Sequence, residues 1–88
     1  LILYPAYPNP FNPETSILYY VPDDFGEIEP TIHIYDLKGR LVDQVYPGLS
    51  GPGLNKMSWH ASGHGSGTYF IQLEANSSFY QQKIQLIK

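Results

Sequence analysis

The residues of this chain that could do chemistry are few, and their spacing favours none of the common sites. The histidines are His33, His60 and His64, of which the last two lie four residues apart. On a helix that spacing would bring two metal ligands onto one face, but here it runs into a glycine-rich stretch that predicts a turn. We therefore expect neither a metal site nor a cofactor.

Glycines alternate with other residues from Gly63 to Gly67, which invites comparison with phosphate-binding loops. The spacing matches neither the dinucleotide-binding nor the P-loop pattern, and a strand is expected to follow where those loops open a helix. Gly65 also stands where a nucleophile elbow would need its serine. The stretch predicts a tight turn into the next strand.

Carboxylates cluster once, at Asp23, Asp24, Glu27 and Glu29. They fall in a predicted loop with no apolar pocket that could raise a carboxyl pKa for general acid catalysis. No nucleophile, base and orienting group can be named anywhere in the sequence. We therefore expect a protein that is not an enzyme.

The bulk composition indicates one packed domain. The chain has 88 residues, of which 42% are hydrophobic and 15% charged, and it contains no cysteine. A net charge of −3 argues against nucleic-acid binding, which needs a clustered basic surface. No apolar run is long enough for a transmembrane segment, and a start at Leu1 rather than methionine suggests a piece excised from a larger protein.

Alternating apolar and polar residues, separated by turn signals, predict an all-β protein. Trp59 is the expected centre of the core. Together the segments predict an antiparallel Ig-like β-sandwich of about seven strands. The predicted strands are residues 15–21, 31–35, 40–46, 55–60, 68–74 and 79–88, and residues 1–4 are either a first strand or the end of a linker.

A proline-rich ribbon, residues 7–13, precedes the first clear strand. Each proline fixes its own φ and biases the residue before it toward extended conformations, so a helix is excluded. Asn9 and Asn12 each precede a proline, where an Asx side chain favours a turn, and Phe11 is the one large apolar anchor. The pattern predicts a stiff, kinked strap that pins Phe11 into the core.

The order of these features resembles the type A C-terminal sorting domain of bacterial type IX secretion substrates, a relative of the Ig-like domain of flagellar hook-capping proteins. Each block is short, but the ordered set covers nearly the whole chain. The blocks are residues 7–13, residues 15–17 with Tyr19, residues 34–36 with Gly39, Arg40 and Val42, then Trp59, residues 67–70 and residues 83–88.

The resemblance implies an address carried at the C-terminus of a larger cargo in a Bacteroidetes-type bacterium. The cargo would reach the periplasm with its own signal peptide, and the type IX translocon would then export it to the cell surface or the medium. A cell-surface sortase-like protease is a further implied partner. The matched positions are Pro8, Asn9, Pro10, Phe11, Asn12, Gly67, Tyr69, Lys83 and Lys88.

A physical mechanism can be added to that resemblance. A last strand with a free edge and two lysines, Lys83 and Lys88, could be read by strand addition. Two other functions remain open. The chain would be an accessory carbohydrate- or surface-binding module if Trp59, Tyr20, Tyr35 or Tyr80 formed an exposed aromatic patch, or it would be a structural Ig-like spacer.

Overall fold

The computed structural model describes all 88 residues, and the chain folds into seven strands. The strands are β1 (Ile2–Leu3), β2 (Glu14–Val21), β3 (Thr31–Asp36), β4 (Leu41–Val45), β5 (Gly53–His60), β6 (Gly67–Ala75) and β7 (Ser78–Leu86), and one 3₁₀ turn spans Asp23–Phe25.

The strands form two antiparallel sheets. One contains β1, β2 and β5 in that order, and the other contains β4, β3, β6 and β7. Strand β2 pairs with β5 and β3 pairs with β6, so the chain crosses between the sheets in the manner of immunoglobulin-like sandwiches. The predicted fold class is confirmed.

The core lies between the inner faces of the two sheets, as the alternation in the sequence requires. Ile17 and Val21 of β2 are fully buried, as are Ile32 and Ile34 of β3. Ile84 and Leu86 of β7 close the same layer. The predicted apolar faces of β2, β3 and β7 therefore point into the core, as expected.

Two turns set the strand register on the four-stranded sheet. Asn76 and Ser77 both have positive φ, 50° and 64°, which is the geometry of a two-residue hairpin turn between β6 and β7. Between β3 and β4, the Asp36 carboxylate accepts hydrogen bonds from the backbone N–H groups of Lys38 and Arg40. Gly39 sits in that turn at φ 81°, a conformation that favours glycine.

Trp59 occupies the position predicted for it and is only 2% exposed. Its indole Nε1–H donates to Oδ2 of Asp43 at 2.7 Å, which joins β5 of one sheet to β4 of the other. The burial of Trp59 contradicts its proposed role in an exposed sugar-stacking platform. A buried indole needs a hydrogen-bond partner, and Asp43 supplies it.

The differences from the sequence predictions are small. Residues 1–4 contain a short strand, β1, whose two residues pair with Tyr19 and Tyr20. The predicted strand at residues 40–46 is shorter, because Arg40 is held in the turn by Asp36. Strand β5 begins earlier, at Gly53, since pairing with Val21 extends the ladder into the glycine-rich loop.

Candidate functional site: the strap and the C-terminal strand

The proline-rich ribbon and the two residues before it form the strap, residues 5–13, which lies along the outer edge of β7. Phe11 N–H donates to Gln85 O at 2.9 Å, and Ile87 N–H donates to Phe11 O at 3.0 Å. The Asn9 side chain adds two contacts, because its Oδ1 accepts from Gln85 N–H at 2.9 Å and its Nδ2 donates to Lys83 O at 3.4 Å. The two ends of the chain are thus hydrogen-bonded side by side.

Burial and hydrogen bonds hold the strap in this place. Phe11 is 2% exposed, and its ring lies 5.7 Å from that of Trp59. The carbonyl of Pro8 accepts a hydrogen bond at 2.7 Å from the hydroxyl of Thr15, a residue with no exposed surface. The prediction that the strap pins Phe11 into the core is confirmed.

The side chain of Gln82, on β7, holds the chain at the start of the strap. Its Nε2 donates to Tyr4 O at 2.7 Å, and its Oε1 accepts from Ala6 N–H at 2.8 Å. One side chain of β7 therefore satisfies two backbone groups of a segment that is also hydrogen-bonded to β2 of the other sheet, through Tyr4 N–H to Leu18 O and the exchange between Tyr7 and Ser16. The sequence shows Gln82 only as a polar residue on the inner-facing side of the last strand.

This arrangement corrects the proposed mechanism of strand addition at β7. In an antiparallel ladder, alternate residues direct their backbone groups to the same side. The outward groups of Lys83, Gln85 and Ile87 are those that Asn9 and Phe11 already engage. The C-terminal part of the β7 edge is therefore not free, because the chain's own strap covers it.

Gly67 and Tyr69 lie on β6, the strand next to β7, where they pair with Leu86 and Ile84. Tyr69 is 7% exposed, and its hydroxyl donates to Gly65 O at 2.6 Å, which fixes the glycine-rich turn. Gly67 begins β6 with φ 152°, a value that L side chains rarely adopt. Beside it, the Oγ of Ser66 accepts from the backbone N–H of Lys88 at 3.0 Å, so this turn also holds the end of the chain.

An open cavity of about 300 Å³ lies between this turn and the β3–β4 turn. Gly67 and Tyr69 line it together with Lys38 and Arg40. The Arg40 Nε donates to Asp36 at 2.8 Å. Hydrogen bonding from the Arg40 backbone N–H is the largest effect on the Asp36 carboxyl and lowers its pKa. Desolvation, the next largest effect, raises the pKa, but the Arg40 guanidinium and the Lys38 N–H lower it further, so the net shift is downward.

The structure brings the matched positions into two groups. Pro8, Asn9, Pro10 and Asn12 are exposed along the strap, and Phe11 is buried beneath it. Gly67, Tyr69 and the backbone of Lys88 meet at the cavity end. Both lysines are exposed, but Lys83 lies on the outer face of the sheet opposite Phe70, and Lys88 lies beyond the end of β7.

The histidines do not converge on a metal site. His64 packs its ring 5.6 Å from that of Trp59 and 6.2 Å from that of Tyr69. His60 lies 3.5 Å from Glu14 across the β2–β5 pair, and both side chains are exposed. No group of three or more His, Cys, Asp or Glu side chains could hold a metal ion. Nothing in the sequence predicts that the His64 ring packs against Trp59 and Tyr69.

The chain contains no helix of the length and apolarity needed to cross a membrane. A comparison with curated proteins gave no match. Among solved structures, the chain is similar to PorZ, described as an essential bacterial surface component of the type IX secretion system of Porphyromonas gingivalis. The TM-score is 0.64 at 21% identity, and the alignment covers 98% of this chain and 11% of PorZ. At that identity the likeness shows the fold.

The family comparison is more specific. Residues 5–88 match the profile of the secretion system C-terminal sorting domain. That range begins at Pro5 in the strap and ends at Lys88, so it contains both of the segments that the structure hydrogen-bonds together. This chain belongs to the family of secretion-system C-terminal sorting domains.

Proposed function

We propose that this sorting domain is recognised as a folded unit, through the surface that the strap and β7 build together. Domains of this family are C-terminal signals that direct type IX cargo to the cell surface or the medium. The observation that carries the proposal is the hydrogen bonding of Asn9 and Phe11 to Lys83, Gln85 and Ile87. Segments from opposite ends of the chain thereby form one surface.

The recognised features on this surface are side chains rather than a free strand edge. Prolines in the strap carry no N–H, and the donors and acceptors of β7 beside them are already used. What remains exposed is a stiff ridge of Pro8, Asn9, Pro10 and Asn12, beside the backbone of Lys83, whose side chain is also exposed. A ridge that is ordered before binding presents its shape at low entropic cost.

The two lysines contribute the electrostatic part of recognition. No acidic side chain follows Glu74, so residues 75–88 carry two positive side chains, Lys83 and Lys88, in a chain whose net charge is −3. Charge of this kind steers encounter and sets register more than it adds affinity. The partner is the type IX translocon, and its contact surface should be acidic.

The remaining parts of the proposal concern the route and the whole protein. Residues 1–88 form one domain appended to a larger cargo and have no catalytic role. The cargo enters the periplasm with its own signal peptide, and the translocon then exports it. A cell-surface sortase-like protease acts on the domain after export.

Charge reversal tests the surface better than truncation does. Deleting residues 83–88 would remove Ile84 and Leu86, which are 1% and 0% exposed, and the domain would unfold. The double variant Lys83→Glu, Lys88→Glu changes only exposed side chains. Fused to a periplasmic reporter in a type IX-competent bacterium, it should retain the reporter in the periplasm.

The single variant Lys83→Glu, made alongside the double variant, has a matched control in Lys56→Glu, because each reverses one exposed charge and Lys56 lies on β5, away from the strap. Export of the control and retention of the double variant would support the proposal. Equal export of both, with both domains folded, would contradict the part assigned to the lysines. A wild-type fusion that stays folded in the periplasm would instead favour a structural spacer.

A further inference from the structure

The cavity between the β3–β4 turn and the glycine-rich turn before β6 is lined mostly by polar groups. Two of its eight lining residues are hydrophobic. Its volume of about 300 Å³ is at the lower end of the range for sites that bind small ligands or single side chains. The cavity therefore has room for one small polar group.

The charges that line the cavity do not cancel. Lys38 and Arg40 are cations, and Asp36 is the one anion. The lowered pKa of Asp36 keeps its carboxylate ionised at neutral pH. Two positive charges and one negative charge give the lining a net charge of +1, in a chain whose own net charge is −3. The sign of this charge favours an anion.

The turn itself already uses the Asp36 carboxylate. Its Oδ1 accepts from the backbone N–H groups of Lys38 and Arg40, and its Oδ2 accepts from Arg40 Nε at 2.8 Å. The Asp36 side chain is 16% exposed, whereas that of Arg40 is 71% exposed. Asp36 consequently orients the guanidinium and leaves little exposed charge of its own to repel an anion.

Three donor groups at the cavity have no partner. The terminal nitrogens of Arg40 make no hydrogen bond, because Asp36 engages only Nε. The Lys38 ammonium makes no ion pair. Ser66 Oγ accepts from Lys88 N–H at 3.0 Å, so the hydroxyl proton is free to be donated. A guanidinium, an ammonium and a hydroxyl are donors that bind oxyanions in proteins.

We propose that this cavity is a binding site for one carboxylate, carried by an acidic side chain of a peptide. The two terminal nitrogens of Arg40 match the two oxygens of a carboxylate. One carboxylate balances the net charge of the lining, whereas a phosphate dianion leaves excess negative charge beside Asp36.

The shape of the cavity supports a peptide side chain as the occupant. The cavity is open to solvent, so the chain that carries the carboxylate need not be enclosed. Leu37 lines it and is 71% exposed, which gives the methylene groups of a glutamate an apolar surface to cover. Gly67 adds no side chain, and a Cβ there would meet no heavy atom within 4 Å, so the space beside it is empty.

The carboxylate site is separate from the surface of the strap and β7. It uses none of the side chains assigned to that surface, and its occupancy is measured on the isolated chain without a translocon. Failure of either proposal therefore leaves the other standing.

The test is a titration of the 88-residue chain, followed by proton–nitrogen correlation NMR at low ionic strength, where charge interactions are screened least. The probe is N-acetylglutamate N-methylamide, a blocked glutamate residue. Its matched control is the glutamine analogue, which has the same shape without the charge. We expect the glutamate probe to shift the N–H signals of Lys38, Arg40 and Gly67 with a Kd of about 1–10 mM. The glutamine probe should bind at least about fivefold more weakly.

Three results of this titration would overturn the proposal. They are equal binding of the two probes, shifts that lie outside the cavity, and tighter binding of inorganic phosphate than of the glutamate probe. The last would make the cavity a phosphate site instead.

Variants of Arg40 locate the site, because the backbone N–H of residue 40 still holds Asp36 when the side chain is replaced. Arg40→Gln should weaken binding of the glutamate probe at least about fivefold. Arg40→Lys keeps the charge but loses the paired donors, and it should weaken binding about twofold to threefold. Lys56→Gln is the matched control, since it removes one exposed charge on β5 and should leave binding within about 1.5-fold of wild type.

Wild-type binding by folded Arg40→Gln would overturn the proposal, as would an equal loss in Lys56→Gln, which would indicate attraction by net charge alone. If Arg40→Gln does not fold, Lys38→Gln takes its place, because the Lys38 side chain makes no hydrogen bond or ion pair. It should weaken binding about threefold, and unchanged binding would likewise overturn the proposal.

Discussion

Replacing Asn9 with alanine should loosen the strap from β7 without disturbing the core. The substitution removes the 2.9 Å hydrogen bond from Gln85 N–H and the longer 3.4 Å contact to Lys83 O. One good hydrogen bond contributes about 0.5–1.5 kcal/mol net, and the longer contact adds less. Because Asn9 is exposed and water can replace part of the loss, we expect about 1 kcal/mol of destabilisation.

The assay is urea unfolding of the 88-residue chain, combined with hydrogen exchange. For a domain of this size the denaturant slope is about 1 kcal/mol per M, so the midpoint should fall by about 1 M. Exchange at the Gln85 and Ile87 N–H groups should accelerate, while exchange at Ile32 N–H, in the central strand, should follow global unfolding only.

Two controls make the result decisive. Asn9→Asp keeps an oxygen acceptor for Gln85 N–H and loses only the Nδ2 donor, so it should cost about half as much or less. Asn12→Ala changes an exposed strap residue whose side chain makes no hydrogen bond, and it should stay within about 0.5 kcal/mol of wild type. If Asn9→Ala and Asn12→Ala changed the free energy of unfolding equally, the Asn9 hydrogen bonds would contribute nothing to stability, and the reasoning would be refuted.

Three further predictions follow from other contacts. Asp43→Ala leaves the buried indole N–H of Trp59 unpaired and should destabilise the domain by about 1–3 kcal/mol in urea, whereas Asp43→Asn keeps an acceptor and should cost less; equal losses would contradict this. The pKa of Asp36 is lowered in the folded state, so its contribution is present above the unfolded pKa of about 3.9 and is lost as pH falls through the folded pKa. Unfolding midpoints of Asp36→Asn should therefore vary less with pH below about 4 than those of wild type, and parallel curves would refute the assignment. Gly67→Ala should be destabilising despite open space around it, because φ is 152°; stability equal to wild type would show that this conformation can relax.

Much of the fold was predictable because its strands alternate cleanly. Ile17, Tyr19 and Val21 in β2, and Tyr69, Ile71 and Leu73 in β6, show the period of two that puts one face in the core. Trp59 was predictable as the core centre because it is the single tryptophan of a chain without cysteine. These are local signals, and burial follows from them directly.

The candidate site was predictable only in part. The prolines indicate a strap, but nothing in them shows which strand edge it covers. The partner of Asn9, Gln85, is 76 residues away in the sequence. Gln82 likewise looks like one polar residue among several, and its bonds to Tyr4 and Ala6 exist only once the sheets have packed. The expected free edge was wrong for the C-terminal part of β7 for this reason.

Most of the residues that carry the family resemblance also have a structural role in this fold. Asp36, Gly39 and Arg40 are explained by the β3–β4 turn, and Thr15 by its bond to the strap carbonyl. Gly67 and Tyr69 are explained by the turn that holds Lys88. Pro8 and Pro10 stiffen an exposed segment, and the Lys83 and Lys88 ammonium groups make no hydrogen bond; these exposed residues are the ones assigned to recognition.

The central claim is that this folded domain is itself a sufficient type IX sorting signal. The most direct test is to attach residues 1–88 to the C-terminus of a periplasmic reporter and to fractionate a type IX-competent strain and an isogenic strain lacking the translocon. The account predicts reporter at the cell surface or in the medium of the competent strain only. Reporter that remains in the periplasm of both strains, with the domain folded, would contradict it.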